Sequence, residues 1–439
     1  METDIASRTS QCGRGVIARR LALGISLGRD FNLLWLGESV SVLGTRLTSL
    51  AVPTLAIFDL HASALEIGLL SACSFAGYPL VGILGAPFVD RFARRPVLLA
   101  MNVVRAVALG SVPLVAALGF TKLWQLALVA LVVSGCSALF DTAYQATLPG
   151  LVPAERLLSG NARLELSQSL ANFGGPALAG WLVQLVGAAA TLTLDALSYL
   201  WSALMVSLIS AADEPPSSIK RPHPLRDIAS SFVTWRKYGP LVAIGACVFI
   251  NNVGSMAVRT TLLLVAYRAF GLQPEAAGWI FAIGGFATVL GATTATRLTA
   301  KLGIGRALIA ATTADLVWVI APLGLVFSPL IVLGVASLVA GTMLPIWNVN
   351  AVTVRQRLVA PHEQGRVIAI ARAIATAGVA LGAVFGGVAA TILGNAFGDQ
   401  VGLVMAMSIA ALVAGVSAIP LLLGGIGSLR LPTSSYGRT

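Results

Sequence analysis

Long apolar runs alternate with short polar knots from Phe31 to about Leu423. Each run can cross a bilayer as a helix, which takes ~20 apolar residues. The pattern predicts an all-α polytopic protein of twelve transmembrane helices, near 31–58, 65–88, 96–119, 123–147, 161–187, 190–211, 240–267, 275–299, 305–327, 329–352, 366–393 and 400–425. An even number of crossings puts both ends of the chain on one side. The longest polar break holds Asp213-Glu214-Pro215-Pro216 and Lys220-Arg221-Pro222. The expected organisation is a basic tail over 1–29, a six-helix bundle over 30–212, a central loop over 213–238, a second six-helix bundle over 239–426 and a tail over 427–439.

The two halves match each other without gaps over a long stretch. When Asp90 is set against Ala300, Gly44 falls on Gly254, Gly68 on Gly278 and Arg105 on Asp315. Slipped slightly from that register, Pro153 and Glu155 fall on Pro361 and Glu363. Two parallel six-helix repeats with a site between them at the bilayer midplane, one half rocking on the other, form a known transporter plan. Gly378, Gly382 and Gly386 make a small-xxx-small ladder that lets the eleventh predicted helix approach a neighbour closely.

Composition agrees with the pattern: 11% of residues are charged, against about 25% in soluble proteins. A formal net charge of +11 invites a nucleic-acid reading, which the placement of the charges removes. Arg46, Arg105, Arg259 and Arg372 lie within predicted helices, and Lys122 and Arg268 fall on the outer side. All other Lys and Arg residues fall in loops, tails or helix ends of one face, which marks that face as cytoplasmic and in contact with anionic headgroups. Cys12, Cys73, Cys136 and Cys247 form no C-x-x-C, and His61, His223 and His362 share no metal-ligand spacing. No cofactor or metal is expected.

The sharpest knot is Gly85-Ala86-Pro87-Phe88-Val89-Asp90-Arg91-Phe92-Ala93-Arg94-Arg95-Pro96, a very short loop between two spans. It resembles the loop between helices 2 and 3 of the major facilitator superfamily, roughly G-x-L-x-D-R-x-G-R-R. Asp90, Arg91, Arg94 and Arg95 stand at the charged positions, while Ala86, Phe88 and Ala93 depart from the pattern. In the fifth predicted helix, Gly175-Pro176-Ala177-Leu178-Ala179-Gly180 resembles the G-P-x-x-G-G signature of the superfamily's antiporters, with Ala179 in place of one glycine; a kinked, tightly packed helix is the plainer reading of the same residues. Phe31–Gly37, Pro149–Glu155 with Asn161-Ala162, and Arg357–Val367 complete a likeness to the branch of enterobactin exporters and macrolide efflux proteins. That branch often has Gln and then Gly-Asp in helix 1; here Glu38 replaces the glutamine, and Gly44-Thr45-Arg46 lacks the aspartate. Superfamily drug antiporters also commonly carry an arginine in helix 4, and the run 123–147 has none.

Ionisable side chains at bilayer depth are expensive, ~3 kcal/mol or more, so each is expected to face a cavity or a partner. Glu38 and Thr45 are nearly two turns apart on one helical face, and Arg46 flanks it. Arg105, Arg259 and Asp315 lie mid-helix. Together these six form the expected proton and substrate pathway, with structural ion pairing between the halves as the alternative for any one of them. Trp318, Trp347, Phe281 and Tyr144 offer an apolar wall for a bulky substrate, or simple packing.

The resemblance implies a monomeric secondary transporter in the bacterial cytoplasmic membrane. It would export a drug, siderophore or other small organic molecule by alternating access, with protons as the coupling ion. An importer or lipid flippase on the same fold is the alternative. The chain is not an enzyme on this reading: an intramembrane enzyme would need H-E-x-x-H or a partnered nucleophile, and a receptor would be expected to carry a sizeable soluble module, neither of which this sequence shows. No G-x-x-x-x-G-K-[ST] loop points to ATP drive. The resemblance further implies a cytoplasmic gate in which Asp90 docks at the start of helix 11, near Gly365 and Arg366. A carboxylate gains ~0.3–1 kcal/mol beside a helix N-terminus. Arg94 and Arg95 are expected to rest on headgroups.

The topology predicts that single cysteines placed in 90–95, in 213–238 or at His362 of a cysteine-free background resist an impermeant thiol reagent on intact cells. Labelling of the central loop from outside would overturn both the orientation and the helix count.

Overall fold

The structure, a computed structural model, describes residues 27–84, 92–153, 156–210, 232–360 and 363–428. Asp90, Arg91 and most of the central loop lie outside that set, as do the side chains of Gly365 and Arg366.

Twelve helical segments run through the described residues. The first six are α1 (Arg29–Phe58), α2 (Ala64–Leu84), α3 (Arg94–Ala117), α4 (Leu123–Leu151), α5 (Leu157–Val186) and α6 (Ala188–Ser207). Then follow α7 (Gly239–Leu264, extended by a π turn at Val265–Ala269), α8 (Pro274–Leu302) and α9 (Ile304–Thr313, continued as a 3-10 helix over Ala314–Leu325). The last are α10 (Pro329–Leu358), α11 (Gln364–Phe397) and α12 (Asp399–Val416, with a short turn at Ala418–Leu423). Among the described residues, ten helices are long and apolar enough to be candidate membrane spans. On the first bundle's side, α2 and α5 carry the seam between the bundles. Large apolar side chains such as Val107, Leu114, Ile331 and Ile392 stand exposed on the outside, as lipid-facing residues should.

Several connections are as short as a chain allows. Gly187, Gly303 and Gly398 each join two helices as a single residue with φ of 85°, 82° and 81°, a conformation that residues with a Cβ rarely adopt. At the other extreme, the end of the expected central loop is helical from 232, and Trp235 is buried against Gly245 of α7. That anchoring gives the second bundle one more apolar contact than the hydropathy pattern indicated.

Residues that match between the repeats make matching contacts. Gly44 lets α1 press on Asp195 and Ser198 of α6, and Gly254 lets α7 press on the backbone of Ala414 in α12. Gly68 of α2 meets Gly387 of α11, its own Cβ position being 2.9 Å from the Gly387 Cα. Gly278 of α8 meets Gly180 of α5 in the same way, at 3.0 Å. Gly378, Gly382 and Gly386 seat α11 on Phe249, Val253 and Ala257 of α7, so the ladder read from the sequence serves a contact within the second bundle.

These cross-bundle contacts lie in the half of the molecule away from the arginine-rich end, where Arg94, Arg95, Arg156, Arg355 and Arg357 cluster. Hydrogen bonds add to them: Arg268 donates to the Ala62 carbonyl, and the Thr54 and Tyr267 hydroxyls are 3.0 Å apart.

In α9 the switch to a 3-10 helix has a visible consequence. Three residues per turn stack i and i+3 in one column, and the buried residues of this stretch are Trp318, Ala321 and Gly324, in line with Asp315. Hydropathy alone does not distinguish that winding from an α-helix.

Replacing Gly180 by leucine is expected to push α5 off α8, toward the ~8–10 Å spacing of helices packed through larger side chains. Spin labels at Leu185 and Gln273 should then report longer distances. An unchanged distribution would show that the glycine pair does not hold this end shut.

Candidate functional site

A cavity of about 1100 Å³ lies between the two bundles. At mid-depth its walls are Thr45, Arg46 and Thr48 of α1 and Asn251, Ser255 and Arg259 of α7. It extends to the arginine-rich end, where it reaches Trp235, Leu241, Arg355 and Val367. At the other end the glycine contacts of α2 with α11 and of α5 with α8 close it.

The charges along this wall are unbalanced. Arg46, Arg259, Arg355 and Arg372 line it, and Asp315 is the one carboxylate among the described lining residues. Arg46 and Arg259 are within electrostatic reach of each other, and Arg259 also feels Asp315. Asp315 accepts hydrogen bonds from Asn251 (3.1 Å) and from the Ser255 hydroxyl. The stem of Arg46 lies where a side chain on Gly175 would go, 2.6 Å from that Cβ position, so the glycine of α5 makes room for the arginine of α1. The Nε of Arg46 is buried without a hydrogen-bond partner. Phe281, Trp318 and Trp347 line the same space, whereas Tyr144 lies elsewhere.

A second cluster sits inside the first bundle, behind a cavity wall to which Thr48, Ser137 and Tyr199 belong. Arg105 of α3 is buried between the rings of Phe140 and Tyr199, its guanidinium carbon 4.4 Å from each centroid. It donates to Asn102 and, at 3.3 Å, to Ser137. Glu38, Asp141 and Asp195 all lie within its electrostatic reach, yet none forms an ion pair with it. Asp195 is held by the hydroxyls of Thr48 and Ser198. Asp141 accepts from Tyr78 at 3.0 Å, and Tyr78 lines the cavity. One oxygen of Glu38, Oε2, is buried with no partner, as is the Tyr144 hydroxyl. Tyr78, Ser137 and Tyr199 therefore link the cavity wall to this inner cluster, and the Tyr199 hydroxyl is 3.3 Å from that of Thr45.

The structure thus separates what the sequence grouped together. Thr45, Arg46, Arg259 and Asp315 share the cavity, while Glu38 and Arg105 share the interior of the first bundle. Asp141, Tyr78 and Asn102 were not among the expected pathway residues. Tyr78 and Asn102 carry no formal charge, so a search for ionisable groups within apolar runs passes over them. Of the helix 5 motif, Gly175 accommodates Arg46, Gly180 faces Gly278, and the Pro176 carbonyl is 2.6 Å from the Cβ position of Gly278. Of the expected gate, the structure describes the side chains of Arg94 and Arg95. Instead of only facing headgroups, Arg94 donates to the Ala146 carbonyl at 2.6 Å and Arg95 to the carbonyl of Ser207, the last residue of α6. The Ser207 carbonyl, in the last turn of its helix, lacks an intrahelical partner, and the Arg95 guanidinium supplies one; Ala146 lies further inside α4. Near the expected docking point, Glu363 at the N-cap of α11 accepts from Tyr238 (2.5 Å) and pairs with Lys237 at 3.7 Å.

Known proteins share this fold. The family model of the Major Facilitator Superfamily matches residues 34–253. An uncharacterised MFS-type transporter of Bacillus subtilis, YfiS, is 28% identical over 265 residues, which is 58% of this chain and 60% of that protein, under two thirds of its length. The multidrug efflux pump Tap of Mycolicibacterium fortuitum is 24% identical over 86% of this chain and 91% of its own. Among solved structures, the nucleoside transporter NupG superposes with a TM-score of 0.72 over 90% of this chain and 99% of its own, at 13% identity.

Removing the cation of the inner cluster should expose its role. Arg105→Ala leaves buried acids without their nearest positive charge, and loss of one buried charged partner typically costs about 3 kcal/mol or more. A clear fall in the thermal midpoint in detergent is expected, partly restored by adding Glu38→Gln. No restoration would mean that the ring stacking on Phe140 and Tyr199 matters and the charge does not.

Proposed function

Because the chain belongs to the Major Facilitator Superfamily, we propose that it is a secondary transporter that exports a small organic molecule by alternating access in exchange for protons. The observation that carries this reading is the 1100 Å³ cavity between the repeats, shut at one end by backbone contact and extending to the other. A helix seam without side chains can part and re-form with little repacking, as rocking of two bundles requires. The arginine-rich end is the cytoplasmic one by the positive-inside rule. The cavity then stands ready to take up a molecule from the cytoplasm or the inner leaflet. Likeness to Tap, named a multidrug efflux pump, supports the outward direction. On this reading the chain acts as a monomer in the bacterial cytoplasmic membrane with both termini inside.

Coupling falls to Glu38. Its carboxyl group is buried near Arg105 with one oxygen unpartnered, and an intramembrane acid so placed is a natural proton carrier. Tyr78 and Asp141 supply a polar route between it and the cavity wall. On the return swing, Asp90 closes the cytoplasmic end by docking near Gly365 and Arg366. The resemblance implies that latch, and the partial positive charge of a helix N-terminus favours it.

Expression in a host stripped of its own efflux pumps, scored against a broad panel of antibiotics and siderophores, tests the export reading: tolerance to at least one compound should rise. In proteoliposomes, Glu38→Gln should abolish substrate-driven proton movement with near-normal expression. Undiminished coupling would shift the proton to Asp315 or remove it from the mechanism.

A further inference from the structure

The cavity wall holds more positive charge than a passive apolar passage can use. Arg46 on α1 and Arg259 on α7 present their guanidinium groups to one space, near enough to repel each other. Among the described residues no hydrogen bond or ion pair holds either group, and the Nε of Arg46 is buried without an acceptor. Arginine does not relieve such repulsion by losing its proton. The neighbouring groups balance only part of this charge. Asp315, held by Asn251 and Ser255, attracts Arg259 without bonding it, and Tyr78, beside Arg46, is a neutral phenol, so two guanidinium groups face one carboxylate. Arg372, facing Asp141 and Tyr78, adds a further cation on the side toward the cytoplasmic end. A pair of like charges kept together at mid-membrane depth, with one carboxylate nearby and none in contact, is a binding arrangement completed from outside.

Taking the cavity as the substrate site, we propose that the transported molecule carries an oxyanion of the carboxylate kind, and that Arg46 and Arg259 hold it from opposite bundles. The chemistry fits at each contact. Guanidinium groups bind carboxylates through two parallel hydrogen bonds, and they do so most strongly where water is scarce. Trp318 and Phe281 line the same space and offer an apolar face to the rest of the molecule. Because one arginine belongs to each bundle, the anion bridges the two repeats. It also cancels the repulsion that would otherwise push them apart at this depth. Gly175 is the support for this arrangement, since any side chain there would displace the stem of Arg46.

A charge-matched trio of probes tests it: naphthalene-2-carboxylate, its neutral carboxamide and 2-naphthylmethylammonium, titrated calorimetrically into the purified full chain in neutral detergent. The carboxylate should bind at least about tenfold more tightly than either partner, as a buried charge pair provides. That preference should be lost in Arg46→Gln and in Arg259→Gln, with carboxamide affinity unchanged. Should the glutamine variants not fold, Arg46→Lys and Arg259→Lys carry the test: they keep the charge but lose the fork, and the preference should fall several-fold. Equal affinities, tightest binding of the ammonium, no saturable carboxylate binding, or a preference undiminished in the variants would each overturn the proposal. Equal binding of the three leaves the export reading standing. A silent efflux panel with a strong carboxylate preference leaves this one standing.

Discussion

Lipid removes the usual reason for helices to associate, since an apolar side chain is as well solvated by acyl chains as by another helix. What remains is close backbone approach, and this fold depends on it. Gly68 against Gly387 and Gly180 against Gly278 bring α2 to α11 and α5 to α8 with no side chain between them. Such a seam is strong through dispersion and yet specific, because a single added methyl has nowhere to go. The cavity exists because the seam occupies only the half of the molecule away from the arginine-rich end. The cavity lies in the space that the seam leaves open, with the Glu38 and Arg105 cluster behind its wall.

The charges within the membrane follow two different rules. In the first bundle, Arg105 is surrounded by aromatic rings, amide and hydroxyl groups, with three carboxylates at electrostatic range, so its cost is spread over many partners. On the cavity wall, Arg46 and Arg259 have no such shell. Repeat symmetry sharpens the contrast. Arg105 and Asp315 occupy equivalent positions in the two halves, with opposite charge, and each is held by hydrogen-bonding side chains. The two halves therefore share a scaffold while differing in sign at corresponding depth, which gives the molecule an electrical polarity that its hydropathy hides.

Much of this was legible in the order of residues. Helix number and the pairing of Gly44 with Gly254 and Gly68 with Gly278 follow from spacing, because a bilayer imposes length and a repeat imposes register. The small-xxx-small ladder on α11 correctly announced a close neighbour, but a ladder cannot say which one. Glu38 was visible as an acid in an apolar run. That it would point into the first bundle and away from the cavity depends on helix rotation, which a helix apolar on nearly every side does not reveal in its residue pattern. Tyr78 and Asn102 stayed hidden because their significance lies in what they touch. Arg94 and Arg95 look like positive-inside charge, yet both also bond carbonyls of neighbouring helices, Ala146 within α4 and Ser207 at the end of α6.

The 3-10 stretch of α9 adds something that rigid rocking lacks. A 3-10 helix rises about 2.0 Å per residue and an α-helix about 1.5 Å, so rewinding a few residues changes reach without changing tilt. It also changes azimuth: residues three apart coincide in the first winding and diverge by about 60° in the second. Asp315 and Trp318 share a column only in the first. The acidic and aromatic parts of that wall are thus geared together by backbone winding, and a local rewind would re-aim one against the other while both bundles stood still.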